Sequence, residues 1–310
     1  ALTLFDEKIV LFRSTEGESN AIINQCPHRN MALDRGRVTS KGLKCCYHGW
    51  TFDGKGQATD IPSSKTCHTG AIKSYPLIEK NSVIWIYMGK EPPNTSPPLF
   101  PNIHNKKSVT WIMQRHFQGS AFQCVENFLD VPHTAFVHKK WFRDSRRENI
   151  LFNVYSEKNW VEAEFLNESP IDTILGKCLF PKGAQIKHTD RFTLPFNTRV
   201  DYQFGKGNHI LIMSFCTPIS ENQTMVYTYM AVILKRFQHF PYLMKTILKP
   251  ITQIILNQDV DIIQKQHTDL QRNISTQFRF HETDTLAKEI WMLLQNEPLS
   301  HLPKQGEFLV

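Results

Sequence analysis

The chain has 310 residues, 41% of them hydrophobic and 21% charged, with a net charge of +7. That length suits two ordinary domains or one large one, and the composition is that of a globular protein rather than a disordered chain. No run approaches the ~18 apolar residues of a membrane span, and Lys and Arg are scattered without a nucleic-acid recognition motif.

Residues 1 to 90 read as short strands and tight turns. ALTLFDEKIVLF, ESNAIINQC, YHGWTFDGKGQ and NSVIWIYMG alternate or run apolar between Asp-Gly, Gly-Lys-Gly and Glu-Lys-Asn breaks. The first of these lacks the basic start of a signal peptide. Seven Cys, an odd number, then point to reduced thiols in a cytoplasmic compartment. EPPNTSPPLFPN (91 to 102) holds five prolines and reads as a linker. From 103 to 310 the pattern is mixed. GSAFQCVENFLDVPHTAFVHKKWF predicts a helix interrupted near Pro132. DRFTLPFNTRVDYQF, HILIMSFCTPI and TMVYTYMAVIL supply at least three strands. A long helix follows over roughly 241 to 270, bent or broken at Pro250, and a last one runs from Thr285 to Asn296, capped by Thr283 or Asp284.

Between 26 and 48 the sequence places two arms, Cys26-Pro27-His28 and Cys45-Cys46-Tyr47-His48. Zinc fingers usually pair Cys with Cys and His with His. One Cys and one His per arm suits a [2Fe–2S] cluster whose irons differ, one held by two thiolates and one by two imidazoles. A zinc knuckle is the competing reading.

The second cluster of polar side chains is VENFLDVPHTAFVHKK (125 to 140), with Glu126, Asn127, Asp130, His133 and His138. On a helix, Asp130 and His133 share a side. His133 and His138 are five apart, about 140° of rotation, too far for one metal unless the helix is irregular, and Pro132 supplies that irregularity. Two imidazoles and a carboxylate form the facial triad of non-haem Fe(II) oxygenases. In ITQIILNQDVDIIQKQ (251 to 266), Asp259 has Ile255, Leu256, Ile262 and Ile263 as helical neighbours, whereas Asp261 has Asn257, Gln258, Gln264 and Lys265. Asp259 therefore sits on the buried stripe, where a lone carboxylate costs several kcal/mol. A metal neutralises it; so would a helix cap or an Arg partner.

CPHR-x5-RG with C-x-YHGW resembles the Rieske motif of ring-hydroxylating oxygenases, which assigns the cluster to Cys26, His28, Cys45 and His48. Cys46 departs from the pattern, which usually has Pro there. The extra disulfide of cytochrome-type Rieske proteins is absent, its places being Met31 and Tyr47. EN-x2-D-x2-H-x4-H and QD-x2-II-x-K-Q are similar to the mononuclear-iron segments of the vanillate-demethylase-like branch. The resemblance implies His133, His138 and Asp259 as Fe(II) ligands, with Asn127 near the ion. Asp130 would join the Rieske histidine of a neighbouring subunit to the iron-bound histidine in a homotrimer. It further implies an α+β fold, an all-β Rieske domain followed by a helix-grip-like antiparallel sheet with helices. Electrons would come from NAD(P)H through a flavin-containing reductase or ferredoxin. O2 would then hydroxylate or oxidatively dealkylate a small, largely apolar substrate. A Rieske electron carrier with a non-catalytic second domain is the alternative.

The remaining chemistry-bearing residues form no ligand pattern. Cys67, Cys124, Cys178 and Cys216 read as free thiols. His104, His116, His188, His209, His239, His267, His281 and His301 are scattered. HKKWFRDSRRE (138 to 148) reads as a solvated face, and KRFQHFPYLMKTILK (235 to 249) as a catalytic-domain helix with a basic rim rather than a membrane contact. Phe122, Phe128, Phe136, Ile171, Ile174, Leu175, Phe192 and Phe204 fit either a pocket or a core.

Overall fold

The computed structural model describes residues 1–67, 70–81, 83–93, 96–97, 108–139, 141, 149–169, 184–205, 207–272, 278–299 and 302–309. The chain forms two compact units, Ala1–Pro101 and Asn102–Val310. In the first unit β1 (Leu2–Leu4), β2 (Glu7–Arg13) and β3 (Ser19–Ile23) make one antiparallel sheet. A second sheet contains β4 (Arg37–Thr39), β5 (Gly42–Lys44), β6 (Thr51–Phe52) and β7 (Ala58–Asp60). β8 (Leu77–Lys80) and β9 (Val83–Ile86) pair as a hairpin. Val10, Ile22, Leu33, Leu43 and Phe52 pack into one core with Cys26 and Cys45, so both thiols are set in apolar surroundings.

The second unit is an eight-stranded antiparallel sheet in the order β10-β16-β15-β14-β13-β12-β11-β17. Its strands are β10 (Val109–Phe117), β11 (Asn149–Glu157), β12 (Trp160–Phe165), β13 (Ile186–Thr193), β14 (Asn197–Phe204), β15 (Asn208–Ser220), β16 (Gln223–Ile233) and β17 (Lys304–Leu309). Among the described residues four α-helices accompany it: α1 (Ala121–Leu129), α2 (Thr134–Val137), α3 (Pro241–Arg272) and α4 (Ala287–Leu294). α1 packs on β13 to β16 and α3 on β10. The expected α+β architecture forms, but with four strands the sequence reading did not identify, β10, β11, β12 and β17. DRFTLPFNTRVDYQF is itself two strands, joined at Leu194-Pro195-Phe196.

Of the bent and broken readings at Pro250 the broken one falls, and the cap of the last helix is corrected. α3 runs unbroken through Pro250 for 32 residues; a single missing N–H and one crowded carbonyl cost less than the packing of the helix on the sheet returns. α4 is capped at Leu286 with no side-chain bond, and the Asp284 carboxylate instead accepts the main-chain N–H of His281. In the run 235 to 249, Met244 and Leu248 are buried while Phe240, Tyr242, Leu243 and Ile247 are exposed. No helix among the described residues is long and apolar enough to cross a membrane. His104, Cys178, Ile171, Ile174, Leu175, His301, much of the 91 to 102 linker and most of HKKWFRDSRRE lie outside the described residues.

Candidate metal centres

Cys26 lies just after β3 and Cys45 directly after β5, each at the start of a tight loop. The Cys26 N–H donates to the Met31 carbonyl and the Cys45 N–H to the Trp50 carbonyl, both at 2.8 Å. Gly49 holds a positive φ of 75°, a conformation open to glycine at no cost. Gly36 lets the arms approach, because a Cβ there would stand 2.1 Å from the Lys44 carbonyl oxygen. Cys26 and Cys45 are 2% and 3% exposed and face each other, while Cys46 is exposed. Burial pushes the Cys26 thiol up; the main-chain N–H groups of His28 and Arg29 oppose it, and Cys45 reinforces it. The His28 and His48 rings lie with centroids 4.4 Å apart, and Trp50 stacks on His28 at 4.7 Å. The buried Nδ1 of His28 has no hydrogen-bond partner. Two thiols inside and two imidazoles toward the surface, one of them with an orphaned nitrogen, fit a cluster with one sulfur-held and one nitrogen-held iron.

The second set depends on where α1 stops. Ser120 and Gln123 form a capping box that starts the helix, and it ends at Leu129. Asp130 turns extended (φ −89°, ψ 98°), and after Pro132 His133 opens the single turn of α2, which His138 closes. The two imidazoles therefore flank one short turn instead of riding a continuous helix, and their ring centroids are 5.0 Å apart. Asp259 reaches them from α3. It is buried, whereas Asp261 is exposed and pairs with Lys265. Of its four apolar neighbours Leu256 and Ile263 are buried, and Ile262 is 37% exposed.

Three donor atoms converge. His138 Nε2 is 3.0 Å and His133 Nε2 3.6 Å from Asp259 Oδ1, which also accepts the Asn127 side-chain N–H at 2.9 Å. The opposite nitrogens are engaged elsewhere: His133 Nδ1 donates to the Asp130 carbonyl, and His138 Nδ1 faces Gln258 Oε1 at 2.8 Å. A carbonyl can only accept, so in neutral His133 the Nε2 lone pair points at a carboxylate and has no partner. Burial would raise the Asp259 carboxyl, but the His133 and His138 imidazoles and the Asn127 N–H beside it hold it below the ordinary range. Ligands about 2.1 Å from an octahedral ion stand ~3 Å apart. His133, His138 and Asp259, all donor atoms within 4.8 Å, fit such an ion. Two nitrogens and one oxygen on one side suit Fe(II) with open positions. Asp130 meets His133 through two atoms: its main-chain carbonyl takes the His133 N–H, and its carboxylate stands 3.9 Å from the same nitrogen.

A cavity of about 140 Å³ opens on these residues. Its far wall carries a trio that the sequence reading passed over. His188 Nδ1 lies 2.6 Å from Glu168 Oε2 and its Nε2 2.9 Å from Asp190 Oδ1, with all three side chains buried. The ring is stacked between its cross-strand neighbours Phe165 (4.5 Å) and Tyr202 (3.9 Å). Burial would lower the imidazole, yet Asp190 and Glu168 override it and push it up to about 10. The signal was present: His188 and Asp190 are two apart on a strand and so share a face. Gln258, one residue before Asp259, was also missed. Of the aromatic candidates, Phe128 lines the cavity, Phe122, Phe192 and Phe204 belong to the core, and Phe136 is 84% exposed. Cys124 and Cys216 are buried free thiols, and Cys67 is half-buried.

Comparison with known proteins matches both parts of the chain to known domains. Residues 1–76 match the Rieske [2Fe-2S] domain, and residues 117–287 match the vanillate O-demethylase oxygenase C-terminal domain. The chain belongs to the Rieske oxygenase family with a vanillate O-demethylase-type C-terminal domain. The iron-sulfur subunit TsaM1 of the toluene-4-sulfonate monooxygenase system of Comamonas testosteroni is 36% identical over 144 residues, 44% of this chain and 40% of that protein. Chlorophyllide a oxygenase, chloroplastic, of Oryza sativa subsp. japonica is 24% identical over 261 residues, 84% of this chain and 46% of that one. The chain thus spans less than half the length of these curated relatives. Dicamba monooxygenase bound to dicamba superposes with a TM-score of 0.79 at 19% identity, covering 95% of this chain and 91% of the other, a likeness of fold.

Proposed function

We propose that this chain is a terminal oxygenase component, with Ala1–Pro101 the cluster-binding domain and Asn102–Val310 the catalytic one. In this reading Cys26, His28, Cys45 and His48 hold the [2Fe–2S] cluster, and His133, His138 and Asp259 hold a mononuclear Fe(II). When bound, the two groups supply electron delivery and O2 activation beside a small organic substrate, which is hydroxylated or oxidatively dealkylated. The chain's own residues do the rest. The Asp130 carbonyl and Gln258 fix the tautomers that aim both Nε2 atoms inward. Asn127 holds the Asp259 carboxylate in register. The apolar walls of the cavity exclude water from the reacting centre. Electrons would reach the chain from NAD(P)H through a flavin-containing reductase or ferredoxin, and the trimeric assembly and the bridging role of Asp130 belong to the same proposal. The two curated relatives named above carry the names of toluene-4-sulfonate and chlorophyllide a, so the family alone does not choose the substrate.

The observation that carries the reading is the meeting of two tautomer-locked imidazoles and one buried carboxylate around a single point. A Rieske electron carrier needs no such second set. Elemental analysis tests it: about three irons and two acid-labile sulfides per chain are expected, and Asp259→Ala should keep two irons and lose the third. Two irons in the unaltered protein would leave the carrier, and zinc in the front loops would remove both readings.

A further inference from the structure

The first half of α3 carries a row of apolar side chains that the fold leaves uncovered. Leu243, Ile247, Pro250 and Ile254 recur at spacings of four, three and four, which at 3.6 residues per turn puts them on one line of the helix. Leu243, Ile247 and Ile254 are 53%, 49% and 46% exposed, and Pro250 is exposed with them. Phe240 and Tyr242, where the helix starts, are 63% and 85% exposed. Met244, Leu248 and Leu256 are buried, so the helix already has its core-facing stripe and this row is a second one. The row stops where the candidate iron site begins: Asn257, Asp261 and Lys265 continue the same line and are polar. The charge around it has one sign. From Lys235 to Gln258 the chain holds four Lys and Arg and no Asp or Glu. Lys235 and Arg236 are exposed just before the helix, and Lys245 and Lys249 follow Tyr242 in the neighbouring row. The stems of this basic rim leave the apolar row about half exposed.

We propose that the segment from Lys235 to Ile254 is a docking face for a membrane surface bearing anionic lipid headgroups, with the apolar row set into the headgroup boundary and the cations against the phosphates. The helix lies on such a surface and does not cross it, since no helix among the described residues is long and apolar enough to span. Single exposed apolar side chains are ordinary, but a contiguous row with aromatic side chains at its start and a rim of one charge sign is what an interfacial helix requires. Two other occupants fit less well. A second copy meeting this face about a twofold axis would bring four cations against four. An acidic protein would find no side-chain donor or acceptor along Leu243, Ile247, Pro250 and Ile254 to fix its register, whereas lipid needs no register. The inference stands apart from the oxygenase reading, because none of these residues is a candidate metal ligand.

Cosedimentation of the purified full chain with phosphatidylcholine vesicles, with and without about 30% phosphatidylserine, tests this. Vesicles with phosphatidylserine should take up the chain at least about tenfold more strongly than phosphatidylcholine alone, since each Lys or Arg near the surface adds several-fold. Raised salt should weaken that uptake. Leu243→Glu combined with Ile247→Glu should return binding to background while far-UV circular dichroism stays that of the parent. Lys235→Gln combined with Arg236→Gln should reduce the preference for anionic lipid several-fold and serves if the first variant does not fold. No uptake by either vesicle, equal uptake by both, or unchanged uptake in both folded variants would overturn the assignment. So would sedimentation equilibrium showing a parent oligomer that the Leu243→Glu and Ile247→Glu pair splits, which would give the face to a second copy.

Discussion

Asp130 acts at the candidate iron site through two different atoms. Its carbonyl oxygen fixes the His133 ring, and its carboxylate, 3.9 Å from the same nitrogen, is free of that task. Asp130→Asn keeps the carbonyl, so it should leave iron content within error of the parent while abolishing turnover with a surrogate reductase. Loss of iron in that variant would move Asp130 into the ligand-supporting set and out of the bridging role. His188 makes a residue-scale prediction in pH. Burial acts to lower its pKa, but Asp190 and Glu168 raise it from 6.5 to about 10. A raised imidazole contributes stability in full below its unfolded value and loses it as pH climbs through the folded one. The urea midpoint should therefore fall as pH rises from about 7 to about 10. A midpoint that is flat over that range would mean that His188 is neutral.

At the scale of elements, the site depends on helix ends. α1 delivers Asn127 from its last turn and then must stop for His133 and His138 to flank α2. The Ser120–Gln123 box fixes the other end of α1, with the Ser120 side chain accepting the Gln123 N–H and the Gln123 side chain accepting the Ser120 N–H. Gln123 also donates to Gln266 of α3, tying the box to the helix that carries Asp259. Ser120→Ala should cost about 1 kcal/mol in denaturant unfolding and reduce iron occupancy in the same samples. A stability loss with full occupancy would show that α3 keeps Asp259 in place without that tie.

For the whole molecule, ion binding and folding are linked. An ion that binds only the native state stabilises it by about 2.7 kcal/mol when present at a hundred times its dissociation constant. Chelation of the mononuclear iron, with the cluster followed by its visible absorbance, should lower the thermal midpoint. The same treatment of Asp259→Ala should shift it much less. Equal shifts in both proteins would place the stabilising ion elsewhere.

The ligand types were legible because they recur at short, fixed spacings. Cys26 and His28 share one loop, Cys45 and His48 another, and the glycines beside them are demanded locally by a positive φ at Gly49 and a crowded carbonyl at Gly36. The buried face of α3 was equally readable, since a 3.6-residue period separates Asp259 from Asp261 whatever the helix packs against. Four strands were not legible. β10 and β17 form the sheet edges through pairing with β16 and β11, partners more than a hundred residues away, and no local pattern states that register. The same holds for the acceptor that locks His133, which is a main-chain carbonyl present at every residue, and for the Glu168–His188–Asp190 wall. The sequence by itself determined which atoms could bind metal. Only the tertiary structure decided where they point and what faces them, because those contacts form when distant segments are packed together and the intervening chain leaves no trace of them.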